Sequence, residues 1–237
     1  NCTITVTDNA TNTSNNLTVT GRDQLGNTSD DFTIGATKPA LFEITPVPTP
    51  RNNTKPNYTF FSTLSGTINY SGDCSSSDNS TEGDNKTIEF NALGEGLHDN
   101  CKVSVTSNSV TSDNLSVNSF TIDTTAPSLT PVTPVPTLGN VRTPNYTFHS
   151  NEAGDITYGG PCSSSTDEAI ADNNTTISFN TLGDNDTYSN CTIRVEDSAG
   201  NQSNLLEVNS FTIDAIPPSL SPVNAVSTPT RDNTSSY

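Results

Sequence analysis

The stretch Phe120-Thr121-Ile122-Asp123-Thr124-Thr125-Ala126-Pro127 constrains the chain most, because the sequence states it three times. It returns as Phe211-Thr212-Ile213-Asp214-Ala215-Ile216-Pro217-Pro218 and, degraded, as Phe32-Thr33-Ile34-Gly35-Ala36-Thr37-Lys38-Pro39. An alternating apolar run that closes on small residues and a proline reads as a last strand leading into a joint. The spacing of other landmarks agrees: Tyr58 to Tyr146 and Cys74 to Cys162 are each 88 positions, and Phe120 to Phe211 is 91. A period of about ninety is too long for a solenoid turn and suits a small sandwich domain. The predicted organisation is beads on a string. Residues 1–36 end one domain, 37–125 and 126–216 are complete domains, and 217–237 begin another.

Between the seams the apolar residues alternate, as in Ile4/Val6, Val103/Val105, Ile177/Phe179 and Ile193/Val195. Period two marks a half-buried strand, and no stretch sustains a helical period. The chain is therefore all-β, although its 30% hydrophobic content is low for a globular protein. In the second repeat the strands fall at Leu129–Pro136, Tyr146–His149, Ile156–Tyr158, Thr176–Asn180, Asn190–Glu196 and Leu206–Ile213. The segment from Cys162 to Asn174 is polar and reads as loop. Pro131, Pro134 and Pro136 cannot donate to a ladder, which makes the first strand an edge strand or irregular. In the first 36 residues, Cys2–Thr7 and Leu17–Thr20 flank a polar turn and read as a hairpin. The segment Gly21–Asp30 that follows has no counterpart in the complete repeats.

Cysteine use points to an oxidising compartment. Cys74 and Cys101 recur as Cys162 and Cys191 without any Cys-x-x-Cys spacing, so one disulfide per repeat is expected. Cys2 matches Cys191 in context and is expected to pair with a partner upstream of the chain. A net charge of −17 excludes the positive footprint of a nucleic-acid binder. No apolar run reaches the length of a membrane span.

Taken together, Asn145-Tyr146-Thr147-Phe148, Gly154-Asp155-Ile156-Thr157-Tyr158, Asp197-Ser198-Ala199-Gly200-Asn201 and Phe211-Thr212-Ile213-Asp214 resemble bacterial Ig-like repeats. Such repeats form the stalks and extenders of large surface adhesins and biofilm-associated proteins. The resemblance covers nearly the whole chain and implies tandem Ig-like β-sandwiches at the cell surface without catalysis. Two departures stand out. The first cysteine of each pair follows the third strand, whereas the antibody-type bridge joins the second and sixth strands. Its partner would link it to a neighbouring strand or tie a loop to one. Tyr188 stands three residues before Cys191, where a tyrosine corner stands two before, and its counterpart in the first repeat is His98.

The Ig-like arrangement implies that the loops after the second and sixth strands lie where the preceding domain attaches. That would gather Asp123, Glu152 and Asp197 at the joint. Their counterparts one repeat earlier are Gly35, Leu64 and Ser107, so all three carboxylates are lost together. Joint loss is what a shared ion predicts, and three carboxylates with added oxygen ligands suit Ca²⁺. The competing reading is three solvated acids in turns, with Asp197 opening an Asx turn.

The tripeptide Asn-x-Ser/Thr occurs about eighteen times, about twice the chance frequency. Asn57, Asn85, Asn145, Asn174, Asn190 and Asn201 are glycosylation candidates on this count, against the plainer reading of polar strand decoration. His98 and His149 lie at non-equivalent places with no nucleophile motif, and no Gly-rich phosphate loop is present. The expectation is a non-enzymatic extracellular spacer with no required cofactor beyond a candidate Ca²⁺. Its partners would be neighbouring repeats or copies; the alternative is an adhesin module that binds cell-surface glycans or a receptor.

Overall fold

The computed structural model describes residues 2–4, 17–19 and 37–221. Every regular element among them is a strand, and no helix is long and apolar enough to cross a membrane. Two separate hydrophobic cores form, one from residues between Val47 and Ile122 and one from residues between Leu129 and Ile213. Each is closed by its own strands.

The two cores are built alike. In the first, Leu41–Thr45, Asn57–Ser62 and Asn85–Glu89 form one antiparallel sheet. The second core repeats it with Leu129–Thr133, Asn145–Ser150 and Asn173–Ser178. Alternation explains the face each strand buries: Tyr58 and Phe60 are fully buried while Asn57 is exposed, and Tyr146, Phe148 and Asn145 repeat the pattern. The opposing sheet is centred on Ser65–Ser71 paired with Lys102–Ser107, and on Gly154–Gly159 paired with Thr192–Glu196. In that sheet the last two strands keep one register across a break. Ile193 faces Leu206 and, further along, Tyr188 faces Phe211, just as Val103 faces Leu115 and His98 faces Phe120. The strands expected from the sequence form with shifted ends, except that Leu206–Ile213 is split into Leu206–Glu207 and Phe211–Ile213. The polar loop after Cys162 also contains a short strand, Glu168–Ala169, which pairs with Gly154–Asp155.

Proline dictates the path of the first strand. Leu129–Thr133 runs antiparallel to Asn145–Ser150 with a register shift between Pro131 and Thr133. After Pro134 and Pro136 the chain crosses to the other sheet, where Leu138–Gly139 pairs in parallel with Phe211–Ile213. The first repeat makes the same crossing, with a shift between Glu43 and Thr45 and Arg51 bridged in parallel to Ile122. This is the irregular edge that the prolines demand.

The disulfides pair Cys74 with Cys101 and Cys162 with Cys191, at Cα separations of 5.2 and 5.4 Å. Each ties the end of one strand to the start of its neighbour in the same sheet, since Ser71 faces Lys102 and Gly159 faces Thr192. The bridge therefore does not span the two sheets. The turn it closes needs glycine: at Gly160, with φ of +73°, a Cβ would stand 2.2 Å from the Asn190 carbonyl oxygen. The Tyr188 hydroxyl accepts a hydrogen bond from Gly183 N at 2.6 Å. It thus fastens the backbone upstream as a tyrosine corner does, one residue out of the usual place. His98 has the same task through Nε2 and the Gly94 carbonyl, 2.9 Å apart. At the N-terminal end, Cys2–Ile4 pairs antiparallel with Leu17–Val19, the expected hairpin. The side-chain pairing of Cys2, the segment Gly21–Asp30 and residues 222–237 lie outside the described residues.

Candidate metal centre at the joint

Three separate segments bring carboxylates to the seam between the cores. Asp123 follows the last strand of the first core, Phe120–Ile122. Glu152 sits in the turn between Asn145–Ser150 and Gly154–Gly159, and Asp197 directly follows Thr192–Glu196. Because Asp155 faces Glu196 in the ladder, the Glu152 and Asp197 turns are neighbours.

Local chemistry fixes both turns. Ser150 Oγ accepts from Glu152 N at 3.3 Å and donates to the Glu152 carbonyl. Asp197 Oδ1 accepts from Ala199 N and Asn201 N at 2.8 and 2.9 Å, an Asx turn as the sequence suggests. Gly200, at φ of +88°, lets the chain return so that Asp197 N reaches the Asn201 carbonyl at 3.0 Å.

One carboxylate oxygen from each of Asp123, Glu152 and Asp197 lies within 4.8 Å of the others. Asp197 is buried and the other two are half-buried. The seam is also hydrogen-bonded directly. Asn201 Nδ2 donates to the Asp123 carbonyl at 2.9 Å and to Asp197 Oδ2 at 2.8 Å. Asn52 Nδ2 donates to the Gly200 carbonyl at 3.0 Å. Glu95 approaches from the first core and accepts from the hydroxyls of Thr124 and Thr125, both at 2.7 Å. These hydroxyls hold its carboxyl below the ordinary range.

The electrostatics are those of a crowded anion. Burial, then the charges of Asp123, Asp197 and Glu95, push the Glu152 carboxyl above its usual range. Beside the trio, Glu168, Asp155 and Glu196 form a row across three adjacent strands. Like charges directly opposite one another on a sheet repel, which deepens the negative field at this end of the second core.

The donor set fits Ca²⁺. Asp123 Oδ1 accepts one hydrogen bond, from Thr125 N at 3.1 Å, which leaves its second oxygen open to the cluster. Asp197 Oδ2 accepts one bond of the two it can take, and Glu152 Oε1 has only a long contact of 3.4 Å from Asn151 Nδ2. Three hard oxygen donors of this kind could hold Ca²⁺, whose six to eight ligands water would complete. At the opposite end of the first core the counterparts Leu64 and Ser107 bring no carboxylate, and Gly35 lies outside the described residues.

Three participants escape the sequence. Glu95 stands well before the joint, and its only signal is that Asp184 occupies the same place before the next one. Asn52 reaches the seam from a loop between sheets, which periodicity does not place. Asn201 reads there as a glycosylation candidate, but its amide nitrogen is engaged in two hydrogen bonds. The other candidates, Asn57, Asn85, Asn145, Asn174 and Asn190, are exposed. No family model matches the chain, and no match is found among curated proteins.

Proposed function

We propose that the chain is a segment of an extracellular stalk or filament, a string of Ig-like sandwiches whose joints are stiffened by Ca²⁺. The observation that carries this reading is the convergence of Asp123 from one core with Glu152 and Asp197 from the next, within 4.8 Å. A linker that merely tethered two beads would have no use for three carboxylates aimed at one point. Asn201 and Asn52 add direct bonds across the same seam, so the two beads meet in a defined contact.

Other features suit a spacer. The two disulfides fit an oxidising, extracellular setting and compensate for thin cores. The proline-broken first strand blunts lateral pairing between chains. A net charge of −17 keeps a long surface polymer solvated and draws in divalent cations.

Calorimetry and small-angle scattering on the whole chain test the proposal. Added Ca²⁺ is expected to bind and to narrow the distribution of end-to-end distances of an elongated particle, and Asp123→Ala is expected to abolish both effects. Absence of Ca²⁺ binding would remove the ion from the joint, and a compact particle would remove the stalk.

A further inference from the structure

Two adjacent rows on the outer face of the three-stranded sheet differ between the repeats at two positions, and in the next row Glu89 stands where the second repeat has Ser178. In the first repeat one row across the strands reads Phe42, Phe61, Asn85 by register. Directly paired residues share a face, so these three side chains lie side by side. The adjacent row is Thr45, Thr59, Thr87, with the hydroxyls of Thr59 and Thr87 2.8 Å apart. In the second repeat the equivalent rows are Thr130, His149, Asn174 and Thr133, Thr147, Thr176. Here too the threonine hydroxyls of the last pair lie 2.8 Å apart. In these two rows the polar frame is thus kept and only the aromatic pair is changed.

That pair is left uncovered. Phe42 is 55% exposed and Phe61 half-buried, with ring centroids 6.3 Å apart, and Ile44 beside them is 50% exposed. The core does not need them there, since threonine and histidine occupy the same places in the second repeat. An aromatic ledge with carboxamide and hydroxyl groups along its side matches the chemistry of a pyranose, which has one C–H face and a rim of hydroxyls. At the usual strand spacing the row spans about 10 Å, room for a disaccharide. A second copy of the chain fits less well. The patch is far smaller than a stable interface requires, and both copies would carry the same strong negative charge. A neutral sugar meets neither obstacle.

We propose that Phe42, Phe61 and Asn85 form a saccharide-binding platform for neutral glycans, present on the first repeat and absent from the second. Phe42 and Phe61 stack on the sugar ring, and Asn85 and Thr87 bond its hydroxyls. The assignment goes beyond the stalk reading and does not depend on the joint. The test is an amide NMR titration of the whole chain with chitohexaose and with cellohexaose, in the presence of a chelator so that Ca²⁺ plays no part. Saturable shifts are expected at residues 42, 61, 85 and 87 and not at 130, 149, 174 and 176. The double variant Phe42→Thr with Phe61→His installs the residues of the second repeat, which that sheet already accommodates. It is expected to weaken binding about tenfold or more. The converse pair, Thr130→Phe with His149→Phe, is expected to create shifts on the second repeat. Absence of shifts with both sugars overturns the proposal, as do shifts that survive in the first double variant. A chain dimer in sedimentation that the same variant dissolves overturns it in favour of self-association.

Discussion

Replacing Glu152 by glutamine should change the stability of the joint in opposite directions with and without calcium. Without a cation, three carboxylates within 4.8 Å repel in three pairs. At that separation a unit-charge pair costs about 0.9 kcal/mol in bulk water and about 3.5 kcal/mol at the effective dielectric of a protein surface. Glu152→Gln removes two of the three pairs. The relief is therefore about 2 kcal/mol at the solvated limit and about 7 kcal/mol at the other. Rotation of half-buried side chains and screening by salt bring the observed figure toward the lower bound. Burial raises the affinity of Glu152 for a proton, and the charges of Asp123, Asp197 and Glu95 raise it further. When Ca²⁺ is bound, the same carboxylate is a ligand, and its loss weakens binding and with it the ligand-linked stability. Thermal melts of wild type and variant in a chelator and in saturating Ca²⁺ give the two signs directly. The chelator melt should rise in the variant and the Ca²⁺ melt should fall. The same sign in both conditions would refute a shared ion and leave three independent surface acids.

Three further outcomes follow from the same geometry. In chelator, stability should decline with rising pH, starting from the ordinary glutamate range. The raised folded-state pKa of Glu152 contributes stability that is complete below its unfolded value and is lost as pH rises through the folded one; a flat pH profile of the melting temperature in that window would contradict the crowding of the joint. The buried hydroxyl of Tyr146 has no hydrogen-bond partner, so Tyr146→Phe should be neutral or stabilising by about 1 kcal/mol in denaturant titrations, and a loss of that size would reveal a partner such as buried water. Replacing Cys162 and Cys191 by serine should cost about 3–4 kcal/mol from loop closure alone, confined to the second unfolding transition because its core is separate.

Much of this fold is legible in the sequence because its core largely follows a period of two. Tyr58, Phe60, Ile88, Val103 and Val105 recur at every second position of their strands, and each is fully buried. The cysteine pairs are legible because their spacing survives from one repeat to the next. The trio at the joint is legible for the same reason: the internal repeat shows three acids lost together, which no single motif would reveal. What escapes is set by distance across the fold. Glu95 and Asn52 reach the seam from loops that periodicity does not register, and Asn201 has a sequon that hides its bonds to Asp123 and Asp197. The exposed Phe42 and the half-buried Phe61 escape for a different reason. In a strand they look like core until register places them on the outer face.

The distribution of differences between the repeats argues for two separable tasks on one scaffold. The cores, the disulfides and the fastened turn before the sixth strand are matched, down to His98 and Tyr188 holding the same glycine-bearing loop by different atoms. Variation falls instead on the seam, where Asp123, Glu152 and Asp197 answer to Gly35, Leu64 and Ser107, and on one sheet face, where Phe42 and Phe61 answer to Thr130 and His149. Neither set touches the other, and neither is required by the packing beneath it. A sandwich whose interior is settled by alternation leaves its ends and its outer faces free to change independently. Stiffness would then be adjusted joint by joint through charge, and recognition repeat by repeat through two aromatic positions, at little cost to folding. Under the proposed Ca²⁺ joint, the seam that punctuates the sequence would also be the element through which free calcium sets the shape of the chain.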